Sequence, residues 1–264
     1  MLDFPVHQAS GLQGIAPPQG AQLVAMVCHG EDRSDLLMLW KLCSAYLEMG
    51  YAMTVLDATV HESPADPGLA QLLEGGYWPA GQNHPQAAWQ MLPAALGLQD
   101  LYARRSGTAP AWQQLGMLFA DDAIVLVYGK PETLAALLRG SCIKPLLAVS
   151  SSKNALLTNY LALKRLLVDG RLEPTIVNVS AHKPDGEKSS QSPATASLME
   201  CAREFLGYQV HVIDLASGQR AAAGEYDFRP LASRLLESSL ALGGRMSRAP
   251  MTASHQEQAF SGNH

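Results

Sequence analysis

The sequence predicts an α/β protein, with a doubly wound, mainly parallel sheet and helices on both faces. Three observations predict it. Short continuous apolar runs recur at 23–27, 51–56, 123–127, 145–149 and Thr175–Val179. Each has strand length and lacks the alternation of a half-exposed strand, so each reads as a strand buried on both faces. Segments with apolar residues at helical spacing lie between them, which is the alternation that builds parallel sheets. With 264 residues, the chain is long enough to bury a full core in one large domain.

Along the chain, residues 1–20 form a short segment that ends in a hinge, Pro17-Pro18-Gln19-Gly20. The α/β domain spans 21–243. Leu36, Leu39, Trp40, Cys43, Tyr46 and Leu47 recur at helical spacing over 35–49, and Gly50 stops that helix. Pro64, Pro67, Gly75, Gly76, Pro79 and Gly81 break the pattern in 60–120, leaving short helices at 68–73 and 109–118. One or two short strands are expected within 89–102. The alternation then returns, with a helix near 132–138 and another over 154–168, where Leu156, Tyr160, Leu163 and Leu167 share a stripe and Leu157 and Leu161 form a second row. The polar stretch 182–191 reads as a loop. Ser192-Pro193 starts a helix whose stripe of Leu198, Cys201, Ala202, Phe205 and Leu206 ends at Gly207. A last strand is expected at 208–215, a last helix at 226–242, and a disordered tail at 244–264.

Composition narrows the functional classes. The chain is 47% hydrophobic and 16% charged, as in a packed globular protein, and its net charge of −5 argues against non-specific nucleic-acid binding. No apolar run reaches membrane-spanning length, and the first residues lack the basic and apolar regions of a signal peptide. The four cysteines, at 28, 43, 142 and 201, form no CxxC pair. Cys43 and Cys201 fall in helical patterns as small core residues, and a reducing cytoplasm is the simple reading.

The chemistry concentrates at 28–34, Cys-His-Gly-Glu-Asp-Arg-Ser, between the first strand and its helix. A turn in that place holds phosphate when glycine-rich backbone N–H groups, a lysine and a helix N-terminus converge, with a Ser/Thr hydroxyl on Mg²⁺. Here Gly30 is the one glycine, and Glu31 and Asp32 lie where phosphate would sit. Counting back without a gap from Asp57, which ends the second strand, the register resembles the deviant P-loop family of MinD and ParA, whose pattern is KGGxGK[ST]. In that register Cys28 takes the first lysine, His29 and Gly30 two glycines, Asp32 the third glycine, Arg33 the phosphate-binding lysine and Ser34 the Ser/Thr. The resemblance implies Ser34 and Asp57 as metal-side groups if Mg is bound, and ATP as the family's nucleotide. Arginine is a poor substitute for a compact point charge in a tight loop. A carboxylate at ~5 Å, in an effective dielectric of ~20, opposes each unit of phosphate charge by roughly 3 kcal/mol. Weak or absent ATP binding is therefore expected. The strand of 122–128 ends in Val127-Tyr128-Gly129, without the family's hydrolytic aspartate, and Asp121 and Asp122 precede that strand as solvated residues. Asn178 matches the family's adenine-facing Asn, with a strand-end turn residue as the competing reading. Hydrolysis is not expected.

His7-Gln-Ala-Ser-Gly-Leu-Gln13 resembles the DQAxxLR segment of the flagellar FlhG (FleN) proteins, with His7 for Asp and Gln13 for Arg. In that family the segment enters an FlhF GTPase and stimulates GTP hydrolysis. The resemblance therefore implies Gln8 as the activating group and Leu12 as its apolar anchor, since a Gln can orient water in another chain's site. It covers roughly 7–242, with 76–120 matching poorly. Segments 69–75, 154–178 and 228–236 carry the rest of it.

Weaker constellations point elsewhere. His29, Glu31 and Asp32 are too close in sequence to converge on a metal and read as a solvated loop. His61 and Glu62 lack a nucleophile to serve as acid and base, and 150–153 reads as a helix cap. Phe228, Leu231, Leu235, Leu236 and Leu240 form a stripe that packs on the sheet, leaving at most weak peripheral membrane contact. Together these readings describe a non-hydrolysing MinD/FlhG-like regulator of flagellar number or placement, cytoplasmic and at the cell pole. Its expected partners are an FlhF-like GTPase, flagellar basal-body or regulator proteins, and a second copy in a homodimer. The alternatives are a divergent ATPase with ATP-dependent dimerisation, or a scaffold in another polar-positioning or polysaccharide-secretion system.

Overall fold

Strand β1 (Gln22–Val27) is buried at every residue and lies at the centre of the sheet. The computed structural model describes residues 20–29, 33–75, 89–104, 111–150, 155–179, 193–214 and 227–243. After β1 come α1 (Arg33–Glu48), β2 (Ala52–Asp57), α2 (Leu69–Leu73), β3 (Gln90–Pro93), α3 (Ala95–Ala103) and α4 (Ala111–Gly116). Then follow β4 (Ala123–Gly129), α5 (Pro131–Leu137), β5 (Leu146–Ser150), α6 (Ala155–Lys164), β6 (Thr175–Val179), α7 (Pro193–Leu206), β7 (Val212–Asp214), α8 (Arg229–Glu237) and β8 (Leu240–Ala241). The sheet order is β3-β2-β4-β1-β5-β6-β7, parallel throughout, with β8 pairing antiparallel to β1. This is the doubly wound sheet that the continuous apolar runs predict.

Two cores follow from the two faces. Val24 and Met26 of β1, Val55 of β2, and Ile124 and Leu126 of β4 pack against α1 and α8. Leu23, Ala25 and Val27 with Val125 and Val127 pack on the opposite side against α2, α3, α5, α6 and α7. Inside the first core, Tyr46 of α1 donates its hydroxyl to the Ala232 carbonyl of α8 at 3.2 Å. The stripe of Phe228, Leu231 and Leu235 is buried there, as expected of a helix that packs on the sheet.

Several elements differ from expectation. Segment 89–102 holds one strand, within the one or two expected, and in addition a helix, α3. Gly97 explains how α3 fits: a Cβ there would lie 2.7 Å from the Ala70 nitrogen, so α2 and α3 approach backbone to backbone. Segment 154–168 becomes α6 followed by a π-helical stretch, Arg165–Gly170, closed by Arg171 at φ 53°. The strand expected at 208–215 shortens to β7 and is not the last. The last helix stops at Glu237, because β5 meets β1 only at Met26 and leaves the lower edge of β1 open. Strand β8 fills that edge, and Ser239 Oγ donates to Gln22 Oε1 at 2.8 Å. Leu240 thus belongs to β8, and Cys201 is half-buried rather than in the core. The segment 1–19, the loop 182–191, the cap at 151–153 and the tail 244–264 lie outside the described residues.

Burial of Cys43 carries a consequence for alkaline stability. Desolvation pushes its thiol from 9.0 up to about 12, against a smaller lowering from a backbone hydrogen bond. The folded chain thus holds a proton that the unfolded chain releases near 9. Cys43 therefore contributes stability in full below that value, and the contribution is lost as pH rises towards about 12. Thermal melts between pH 8 and 11 should show Cys43→Ala falling less steeply than the parent above pH 9.

Candidate functional site

The carboxyl edge of β1, β2 and β4 carries the residues that the loop register singled out. Alternation along the strands sets their direction. Cys28 continues the row of Val24 and Met26, Asp57 the row of Met53 and Val55, and Tyr128 the row of Ile124 and Leu126. All three point to the α1 side of the sheet. Register holds them together, with Asp57 opposite Tyr128 on one side and Met26 opposite Tyr128 on the other. The Cys28 N–H donates to the Gly129 carbonyl at 2.8 Å, and the Ala58 N–H to the Tyr128 carbonyl at 2.8 Å.

Asp57 is 8% exposed, and its carboxylate is tied locally. Its Oδ1 accepts from the Thr59 N–H at 2.8 Å and from the Thr59 hydroxyl at 2.6 Å. Asp35, in the first turn of α1, is 2% exposed. Its Oδ2 accepts the His29 N–H at 2.8 Å. That amide begins the loop, so a carboxylate of the chain takes a donor that a phosphate cradle would offer to its ligand. His29 is half-buried rather than solvated, and its ring Nε2 pairs with the Ala148 carbonyl of β5 at 3.0 Å. The first loop residues are therefore anchored to α1 on one side and to β5 on the other.

Tyr128 completes the cluster. Burial pushes its phenol well above the usual range, followed by its hydrogen bond with Cys28 and the nearby charges of Asp35 and Asp57. The phenol thus stays neutral, hydrogen-bonded with Cys28 and within electrostatic reach of Asp35 and Asp57. Sequence reasoning noted that no acid ends β4 but did not read Tyr128 as filling the site. Alternation from Asp57 was the available signal, because it puts a bulky ring on the ligand side. Asp35 falls in a helix first turn, where acids are common, so nothing in the sequence marks it out.

The other expected residues are distributed as follows. Arg33 and Ser34 open α1, in line with the loop-to-helix transition, and only their backbone is described. Gly30, Glu31, Asp32, Gln8 and Leu12 lie outside the described residues. Asn178 is 5% exposed in β6, and its Oδ1 accepts the Thr195 hydroxyl of α7 at 3.3 Å, so it is a buried strand residue rather than a turn residue. Asp121 and Asp122 are exposed ahead of β4, as expected. Glu62 has a structural place: its carboxylate accepts N–H groups of Ala70 (3.2 Å), Leu96 (2.7 Å) and Gly97 (2.8 Å) at the starts of α2 and α3. It therefore caps two helices, while His61 is exposed. Among the described residues, no three metal-ligating side chains cluster, and no helix is long and apolar enough to cross a membrane.

The fold defines a class of architecture, the doubly wound parallel α/β sheet with helices on both faces. One solved structure of similar fold is cobyrinic acid a,c-diamide synthase from Mycobacterium smegmatis with bound ADP and magnesium. The two share 13% identity over 82% of this chain and 94% of that one, at a TM-score of 0.50, a likeness of fold alone. The MinC:MinD cell division protein complex of Aquifex aeolicus matches at 9% identity over 61% of this chain and 69% of that one, at 0.43. A plasmid partition protein from Borrelia burgdorferi matches at 10% identity over 83% and 97%, at 0.43. No family model and no curated protein matches the sequence.

Proposed function

We propose that the chain is a pseudo-ATPase of the MinD/ParA kind, similar to FlhG, that regulates flagellar number or placement through protein contacts. The observation that carries the first half is the buried Asp35 carboxylate that accepts the His29 N–H, at the sheet edge where Asp57 lies opposite Tyr128. A triphosphate brought to this edge meets fixed negative charge and a donor already taken. Electrostatic preorganisation of this sign disfavours anions. The loop lacks both lysines and two of the three glycines that hold the phosphates, while Asp57 keeps the metal side, so no catalytic step is assigned through ATP and Mg²⁺.

The regulatory half rests on the resemblance of residues 7–13 to the FlhG activating segment. In this reading Gln8 orients water in the nucleotide site of an FlhF-like GTPase, and Leu12 anchors the segment in that partner. The test is GTP turnover by a co-purified FlhF-like protein with the full chain added. The intact chain should raise turnover, and Gln8→Ala should remove most of the increase, on the order of tenfold or more by analogy with other water-positioning glutamines. Equal stimulation by Gln8→Ala excludes Gln8, and no stimulation by the intact chain excludes the GTPase role.

One observation favours a second reading. Asp57 is retained and buried at the end of β2, where the family places a metal-side group. A divergent active ATPase with ATP-dependent dimerisation is the reading that this residue supports, and nucleotide titration separates the two.

A further inference from the structure

The start of α3 offers four consecutive N–H groups, and the stretch 57–62 accepts from all of them. The Ala94 N–H donates to the Asp57 carbonyl at 2.9 Å and the Ala95 N–H to the Val60 carbonyl at 3.1 Å. The Leu96 and Gly97 N–H groups donate to the two carboxylate oxygens of Glu62, at 2.7 and 2.8 Å. The first N–H groups of a helix have no partner within it, and the cap residue Ala94 supplies no side-chain bond. The first turn of α3 therefore depends on the stretch that follows β2. Glu62 Oε1 also accepts the Ala70 N–H of α2 at 3.2 Å, so one carboxylate clamps both helices.

The other end of this stretch is set at the sheet edge. Asp57 Oδ1 accepts the Thr59 N–H at 2.8 Å and the Thr59 hydroxyl at 2.6 Å, and the Asp57 carbonyl accepts the Val60 N–H at 3.4 Å. These bonds form an Asx turn that fixes the direction in which the chain leaves β2. That direction carries the Val60 carbonyl and Glu62 to the start of α3. There is little slack at the far end. A Cβ on Gly97 would lie 2.7 Å from Leu69 Cγ, and one on Gly68 would lie 2.7 Å from Glu62 Cγ. Strand β3, which runs into α3, is an edge strand paired with β2 alone among the described residues. Elements at a sheet edge can open locally at lower free energy than the centre of the sheet.

We propose that the stretch 57–62 is a conformational coupler: the Asp57–Thr59 contact at the sheet edge and the Glu62 clamp on α2 and α3 open and close together. Drawing the Asp57 carboxylate away from Thr59 undoes the turn, displaces the Val60 carbonyl and Glu62, and frees the first turn of α3. Whatever engages Asp57 thereby reorganises α2 and α3, on the face of the sheet opposite α1. Loosening the clamp reaches back to Thr59 through the same coupling. The device does not depend on the nucleotide reading of the edge.

Amide hydrogen exchange of the full chain, resolved to single residues, tests this with Thr59→Val and Glu62→Gln. Valine keeps the shape of Thr59 and removes only the hydroxyl bond. Thr59→Val should speed exchange at 94–97 about tenfold more than at 124–127 in β4, as for the loss of one hydrogen bond to a charged acceptor. Glu62→Gln should speed exchange at the Thr59 amide by a similar margin over β4. The two variants probe the coupling from opposite ends, so either one alone decides it. Exchange at 94–97 that stays at the parent rate in Thr59→Val overturns the coupling, as does an unchanged Thr59 amide in Glu62→Gln. Equal acceleration at these amides and in β4 also overturns it, because the stretch would then open only with the whole fold.

Discussion

Glu62→Ala should destabilise the fold by about 3–5 kcal/mol, because it leaves three helix-start N–H groups without their acceptor. A change of that size lowers the melting temperature by roughly 10 °C in a domain of this length. Glu62 is 6% exposed, so water cannot replace the carboxylate fully. Gly68 and Gly97 hold the surrounding backbone close: a Cβ on Gly68 would meet the Pro93 carbonyl oxygen at 2.0 Å and Glu62 Cγ at 2.7 Å. Glu62→Gln should lose less, since one oxygen still accepts while the new NH₂ group faces helix N-termini of positive potential. Urea unfolding of the two variants tests this order. Equal loss in both would show that the charge and paired acceptor oxygens of the carboxylate, not its packing, are what Glu62 supplies.

Removing the carboxylates of the loop should recover anion binding. Asp32→Gly with Asp35→Asn takes away two negative charges, and Asn at 35 still offers an oxygen to the His29 N–H. At ~5 Å and an effective dielectric of ~20, each removal is worth roughly 3 kcal/mol per unit of ligand charge, about a hundredfold in affinity. Calorimetric titration with inorganic pyrophosphate should therefore show binding in the double variant and none in the parent. No gain in a folded double variant would mean that charge is not what closes the loop. Tyr128→Ala added to the pair should admit a larger ligand, because its buried ring stands at the edge of the strand between β1 and β2.

What the sequence made legible was local. The helix after the loop could be read because Leu39, Cys43 and Tyr46 repeat at helical spacing within one element. Asp57 could be read because a gap-free count ties it to the loop. Glu62 could not be read, since its partners at 70, 96 and 97 are brought to it only by the close packing of α2 on α3. Strand β8 could not be read either. It has two residues, and what makes them a strand is the open edge left by β5, not their composition. At the site, Glu31 and Asp32 are visible in the sequence as misplaced charges, whereas the role of Asp35 depends on its contact with the His29 N–H, which the sequence does not show. Alternation from Asp57 places Tyr128 on the ligand side, and that signal was present in the sequence though unused.

On the proposed function, this edge is closed to nucleotide by the protein's own side chains. Isothermal titration of the intact chain with ATP and Mg²⁺ tests that closure most directly. No measurable heat of binding is expected up to millimolar nucleotide. Micromolar binding that disappears in both Ser34→Ala and Asp57→Ala would contradict it and establish a working, divergent nucleotide site.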